Sequence, residues 1–408
     1  MAIINSTLSI MTSGLKDVVN NLRLPFYSGG IATLILTLLF VFHNSENLFV
    51  LEFWIAMPFF ILLYFLLFVI GKKELILATQ SWIGRNRINV LVFPSFLFLL
   101  YLNYLFINHQ PLFRGNPWIF LYILFFPSLV FGWMKDPSRK IGWIDFSVFV
   151  LLFLPTAFFE IKQNSNLPVS GNGFDSVSHI MTMLSGVYAF AIVRGIREVG
   201  FTPDIKWKSF RIAFLVWLSF YSFVFIVGRS VSFIEVIGYK DPISTLLKSI
   251  FFTFVVTFLH TALFEELFFR GILQNMLARR IGQGQNWFVF WIFGFIVLFA
   301  GALVVGYTLK GKMQWFPALI TVALFISAYL IEKSGKHDLG VYTALAITGV
   351  TFGLVHYHAK SIIYIGFACL AGWAYGYTYL KTKSVFYSAL VHTLVNCGIL
   401  IFGLKMLK

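Results

Sequence analysis

The chain has 408 residues, 59% of them hydrophobic and only 12% charged, with a mean hydropathy of +0.84. A soluble domain carries about 25% charged residues and 45–50% apolar ones, so composition sets this chain outside the soluble enzymes and binding modules. Lys and Arg number 31 against 16 Asp and Glu, a formal net charge of +15. The basic residues stand singly or in pairs between apolar runs (Lys72-Lys73, Arg85/Arg87, Arg139-Lys140, Arg194/Arg197, Arg279-Arg280). That pattern is the positive-inside signal of a membrane protein rather than a footprint for nucleic acid, and no nucleic-acid partner is expected.

In chain order, Met1 to Asn20 lacks a basic cluster, apolar core and small-residue cleavage site, so the first spans are expected to be uncleaved anchors. Apolar runs then fall at about 28–45, 49–70, 90–107, 118–134, 143–159, 177–193 and 210–227. Six more follow near 249–278, 287–309, 315–331, 340–357, 361–380 and 384–404. Each can cross a hydrocarbon core of ~30 Å at ~1.5 Å per residue, and their continuity is unlike the alternating strands of an outer-membrane barrel. The expectation is an all-α, polytopic transmembrane helical bundle of about 12–14 spans. It sits in the cell's inner or plasma membrane, with the N-terminus in the cytoplasm and Glu160 to Ser176 as an external loop. No internal repeat is visible, which weakens a transporter reading. Cys369 and Cys397 lie inside apolar runs and read as small buried residues. Gly349/Gly353 and Gly372/Gly376 read as close helix-packing faces.

Polar residues of interest concentrate in the last ~160 positions. Glu265, Glu266 and Arg270 interrupt the greasy run from Ser249 to Leu277, and each ionisable group near mid-membrane costs about 2.5–3.5 kcal/mol on insertion scales. Glu266 and Arg270 are one turn apart in the favourable acid-before-base order. Glu265 is turned ~100° away from Glu266, so one carboxylate reads as structural and the other as free for chemistry. A helix end at the membrane surface is the blander account, but apolar sequence continues from Gly271 to Ala278. Phe352 and His356, then His392 and Asn396, repeat the one-turn spacing on later spans. A single intramembrane His is more often a packing residue. Two His, an Asn and a Glu pair on separate spans are better explained as one convergent site. His358 faces elsewhere, and His260 has no spacing argument behind it.

A carboxylate with imidazole partners in a wet pocket can deprotonate water for attack on a carbonyl, while Asn and His donate to the oxyanion. The same groups, Glu265, His356 and His392, form a two-His, one-Glu set that zinc also accepts. The metal-free version is preferred here, with zinc as the alternative.

The stretches EExxxR (Glu265–Arg270), FxxxH (Phe352–His356) and HxxxN (His392–Asn396) resemble the three signature motifs of the CPBP intramembrane protease family. That family includes the type II CAAX prenyl proteases and bacterial relatives linked to bacteriocin self-immunity. The resemblance implies that Glu265 is the general base and that His356 holds the water. It implies oxyanion stabilisation by His392 and Asn396, with Glu266, Arg270 and Phe352 in support. It further implies a peptide or protein substrate at the lipid bilayer. Two domains are expected: accessory membrane helices over 1–205, and a protease domain over 206–408 with an inserted helical pair near 287–331. A non-catalytic immunity or scaffold protein using the same cavity is the competing reading, and a proton-coupled transporter the third. Counting spans puts His356 and His392 near opposite membrane faces, so they can meet only around a deep cavity.

Overall fold

The computed structural model describes residues 2–107, 117–134, 140–158, 177–199, 201, 205–239, 242–284, 286–310, 313–335 and 338–407. The loop expected from Glu160 to Ser176 lies outside them. Each of the thirteen apolar runs contains a helix, and the fold of the described residues is an all-α bundle apart from one short ribbon. Among the described residues, six helices are long and apolar enough to cross a membrane on their own. The chain is a multi-pass integral membrane protein.

Two compact units divide it, one of 1–138 with 150–203 and one of 139–149 with 204–408. The first contains α1 (Ala2–His43), α2 (Leu51–Ile70), α3 (Lys73–Arg85), α4 (Val92–Ile107) and α5 (Pro117–Gly132). The helix α6 (Trp143–Phe158) crosses the division, and α7 (Val177–Gly186) runs into a π-helical turn at Val187–Val193. Aromatic stacking knits this unit: Phe40 lies 4.3 Å from Phe60, and Tyr101 lies 4.0 Å from Phe120. Two buried hydroxyls find backbone partners, Tyr188 donating to the Val90 carbonyl at 2.9 Å and Ser185 to the Ile123 carbonyl at 2.7 Å. Helix α3 buries none of its residues.

The second unit carries the polar motifs. Helix α8 (Trp207–Ser230) leads into strand β1 (Ile234–Val236). A continuous 40-residue helix then runs from Ile243 to Gly282. It consists of α9 (Ile243–Val256), a π segment (Thr257–Ala262), α10 (Leu263–Glu266), a second π segment (Leu267–Gln274) and α11 (Asn275–Gly282). Next come α12 (Trp287–Leu309), α13 (Phe316–Lys333), α14 (Val341–Val355), α15 (Ile362–Thr382) and α16 (Val385–Ile401), and β2 (Leu404–Met406) pairs antiparallel with β1. The acid pair therefore sits in four α-helical residues between two π segments, and such widened turns recur at functional sites.

Helices α14 and α15 can approach closely because glycine faces glycine: a Cβ on Gly372 would stand 2.6 Å from the Gly349 carbonyl oxygen. At Gly353 a Cβ would overlap Cys369, which is buried and unbridged like Cys397. The start of α14 is fixed from a distance. The buried Glu332, in the last turn of α13, accepts backbone N–H bonds from Gly340 (2.6 Å), Tyr342 (2.9 Å) and Thr343 (2.9 Å). A carboxylate there satisfies orphan donors and meets the positive end of the helix dipole.

Candidate active site

Glu266 and Arg270 are both fully buried, and the one-turn pairing holds: Arg270 Nε donates to Glu266 Oε2 at 2.9 Å. The same oxygen accepts from Ser388 Oγ at 2.5 Å, and Oε1 lies 3.0 Å from His392 Nδ1. Two carboxylate oxygens offer about four lone-pair positions, enough for all three partners. The Arg270 guanidinium also lies 5.0 Å from the centre of the Phe352 ring, a cation–π contact that replaces hydration in a dry setting. Phe352 in turn meets His392 edge-on at 5.7 Å and His356 at 4.8 Å. The three motifs thus touch one another through a single ring.

Glu265 points elsewhere. Its Oε2 is 4.0 Å from His356 Nε2 and 4.0 Å from His392 Nε2, and that oxygen is buried without a hydrogen-bond partner among the described residues. Both imidazoles are oriented by their far nitrogens. His356 Nδ1 is 2.7 Å from the Phe352 carbonyl, which can only accept, so Nδ1 carries a proton. His392 Nδ1 likewise donates to Glu266. In the neutral form each Nε2 then offers its lone pair toward Glu265.

The depth difficulty dissolves in the helix lengths. Helix α14 has 15 residues, about 22 Å at 1.5 Å each, so His356 at its end stops short of a ~30 Å core. His392 is the eighth of the 17 residues of α16, well inside it.

Glu265, His356, His392 and Asn396 line one cavity of about 410 Å³, with Phe352, Tyr364 and Tyr375 among its aromatic walls. Asn396 follows His392 by one turn of α16. Tyr375 stacks on His392 at 4.6 Å with the planes 13° apart. Sequence reading passed over Tyr375 and Ser388, although Ser388 precedes His392 by one turn on the same face. His358, set aside from sequence, is exposed at the cavity wall, its ring 5.6 Å from that of His356. His260 is buried and is not among the lining residues.

The donor chemistry suits zinc, but the spacing does not. Ligands at about 2.0–2.1 Å in a tetrahedron stand roughly 3.3 Å from one another, whereas Glu265 Oε2 is 4.0 Å from each imidazole nitrogen. Among the described residues no group of three His, Cys, Asp or Glu side chains is gathered to hold a metal ion. The mechanism below is derived without one.

A carboxylate and two oriented imidazoles face a cavity inside a multi-pass helical bundle, so the class defined is a membrane protein with a polar cavity among its helices. The region holding it is similar to the family described as type II CAAX prenyl endopeptidase Rce1-like, which matches over 247–337 and 324–398. That match lies within the second unit and supports a protease. Among curated proteins and among solved structures, none matches the chain.

Proposed function

We propose that the chain is an intramembrane endopeptidase that hydrolyses a peptide bond of a membrane-associated or lipid-anchored substrate through water activated by Glu265. The observation carrying this reading is the unpartnered Glu265 oxygen, set 4.0 Å from both imidazole nitrogens at the cavity. A water molecule at about 2.8 Å from Glu265 Oε2, an ordinary hydrogen-bond length, can bridge it to an imidazole nitrogen 4.0 Å away. It can donate one hydrogen to Glu265 and the other to His356 Nε2, leaving a lone pair free. As the water oxygen attacks the scissile carbonyl carbon, Glu265 takes one proton. The carbonyl oxygen becomes an oxyanion. The Asn396 amide donates to it, and His392, held at Nδ1 by Glu266, can donate from Nε2 when that nitrogen carries a hydrogen. Collapse re-forms the C=O bond and breaks the C–N bond, Glu265 returns its proton to the departing nitrogen, and the products are an amine and a carboxylic acid, which then loses its proton to solvent.

In this reading Glu266, Arg270 and Phe352 support the geometry, and residues 1–205 are accessory helices. Positioned acid–base catalysis is worth about 10²–10⁴-fold, and one oxyanion donor about 10²–10³-fold. Detergent-purified protein should cleave members of a peptide library, with Glu265→Gln and His356→Ala reduced at least about 100-fold and His392→Ala or Asn396→Ala by about 100-fold or more. Chelator should leave cleavage intact. Undiminished cleavage by Glu265→Gln would overturn the general base. Loss on chelation with rescue by zinc would replace the metal-free mechanism, and binding without any cleavage would favour the immunity or scaffold reading.

A further inference from the structure

The ribbon of β1 and β2 borders the catalytic cavity, where Ile234, Leu404 and Met406 join Glu265, His356 and His392 in the lining. Its register fixes which backbone groups remain available. The Leu407 N–H donates to the Phe233 carbonyl at 2.8 Å, and the Ile237 N–H donates to Gly403 at 2.9 Å. Hydrogen-bonded pairs recur every second residue in an antiparallel ladder, so Glu235 and Lys405 form the bonded pair between these two. The N–H and C=O groups of Ile234, Val236, Leu404 and Met406 must then point away from the seam.

The two outer edges differ. On β1 the outward carbonyl of Ile234 already accepts from Arg229 Nη1 at 3.2 Å. On β2 the outward groups of Leu404 and Met406 have no partner among the described residues. Leu404 is only 5% exposed, so solvent does not readily satisfy it, and an unpaired backbone group away from water costs energy. Lys405 is the kind of residue that blunts an edge, but its side chain stands on the opposite face from Leu404 and Met406.

Peptide hydrolysis makes the complementary demand. A substrate must be extended where it is cut, and the backbone groups released on unwinding need partners in a low-dielectric site. We propose that the outer edge of β2 supplies them, so that the substrate adds to the ribbon as a third, extended strand leading its scissile bond to Glu265. This rests on the protease reading, and it narrows the substrate to a peptide segment able to leave the helical state beside the ribbon.

The test uses a quenched fluorescent peptide that the full-length protein cleaves. It is resynthesised with one N-methylated residue at a time outside the scissile bond. Strand addition predicts alternation: methylation at every second residue weakens kcat/KM about ten-fold, the scale of one lost hydrogen bond, while intervening positions are tolerated. On the protein side, Met406→Pro removes an outward N–H without touching the Glu235/Lys405 pair, and should lose about ten-fold more in kcat/KM than Met406→Ala. Thermal unfolding of both variants checks that the ribbon survives, and the N-methyl scan needs no variant at all. Cleavage without alternation, or equal loss in folded Met406→Pro and Met406→Ala, would overturn the inference alone. Absence of any Glu265-dependent cleavage would overturn the protease reading and this inference with it.

Discussion

Neighbouring acids do different work when their surroundings differ, and Glu265 and Glu266 are a measurable case. Glu266 is fully buried and holds Arg270, Ser388 and His392. Removing its charge leaves a buried guanidinium without its counter-ion, and breaking such a pair costs about 3–5 kcal/mol. Glu265 accepts no hydrogen bond at Oε2, so neutralising it removes little that holds the fold together. The two substitutions should therefore separate. Glu266→Gln is expected to lower the unfolding temperature clearly and activity with it, whereas Glu265→Gln abolishes cleavage with an unfolding temperature close to wild type. Thermal unfolding in detergent, run beside the peptide assay, measures both. Equal destabilisation by the two changes would contradict this division of labour. The i,i+4 pairing of Glu266 with Arg270 was legible in the sequence because both partners lie on one helix. The Ser388 bond, the stacked Tyr375 and the Phe352–Arg270 contact were not, because each joins helices whose mutual rotation no single-helix periodicity encodes.

At the scale of elements, helix positions were the most readable feature, since a lipid solvent demands long uninterrupted apolar runs. The π segments flanking the acid pair left no such trace, and the ribbon fell at the edge of the last apolar run and in a short connection. The cap on α14 was equally hidden: Glu332 follows an apolar stretch and reads as an ordinary helix-end charge. Yet it closes three backbone N–H groups at the start of the helix whose far end presents Phe352 and His356. Losing a cap costs about 0.5–2 kcal/mol, and here three donors depend on one side chain. Glu332→Ala should lower stability by about 2 kcal/mol and reduce kcat through loosened placement of His356. Glu332→Gln, which keeps an acceptor oxygen, should fall between. Amide hydrogen exchange at Gly340, Tyr342 and Thr343 gives the direct readout. Unchanged protection in Glu332→Ala would show that the cap does not hold the helix.

For the molecule in its membrane, charge and chain direction together give a testable orientation. The basic pair Arg279-Arg280 closes the 40-residue helix at its α11 end, whereas the ribbon adjoins the start of that helix and the ends of α8 and α16. Positive residues between spans are retained in the cytoplasm. If the N-terminus is cytoplasmic and each of the thirteen apolar runs read from the sequence is a span, the parity would put Arg280 in the cytoplasm and Lys405 outside. The turn at His356–Ala359 follows α14 on the ribbon's side by the same count, so the substrate would reach the cavity from outside the membrane. Single cysteines at Arg280 and Lys405, in a background with Cys369 and Cys397 replaced by alanine, test this with a membrane-impermeant thiol reagent. Lys405→Cys should label in intact cells and Arg280→Cys only after permeabilisation. The reverse pattern would invert the molecule and direct the search for its substrate to cytoplasmic peptides, leaving the chemistry at Glu265 unchanged.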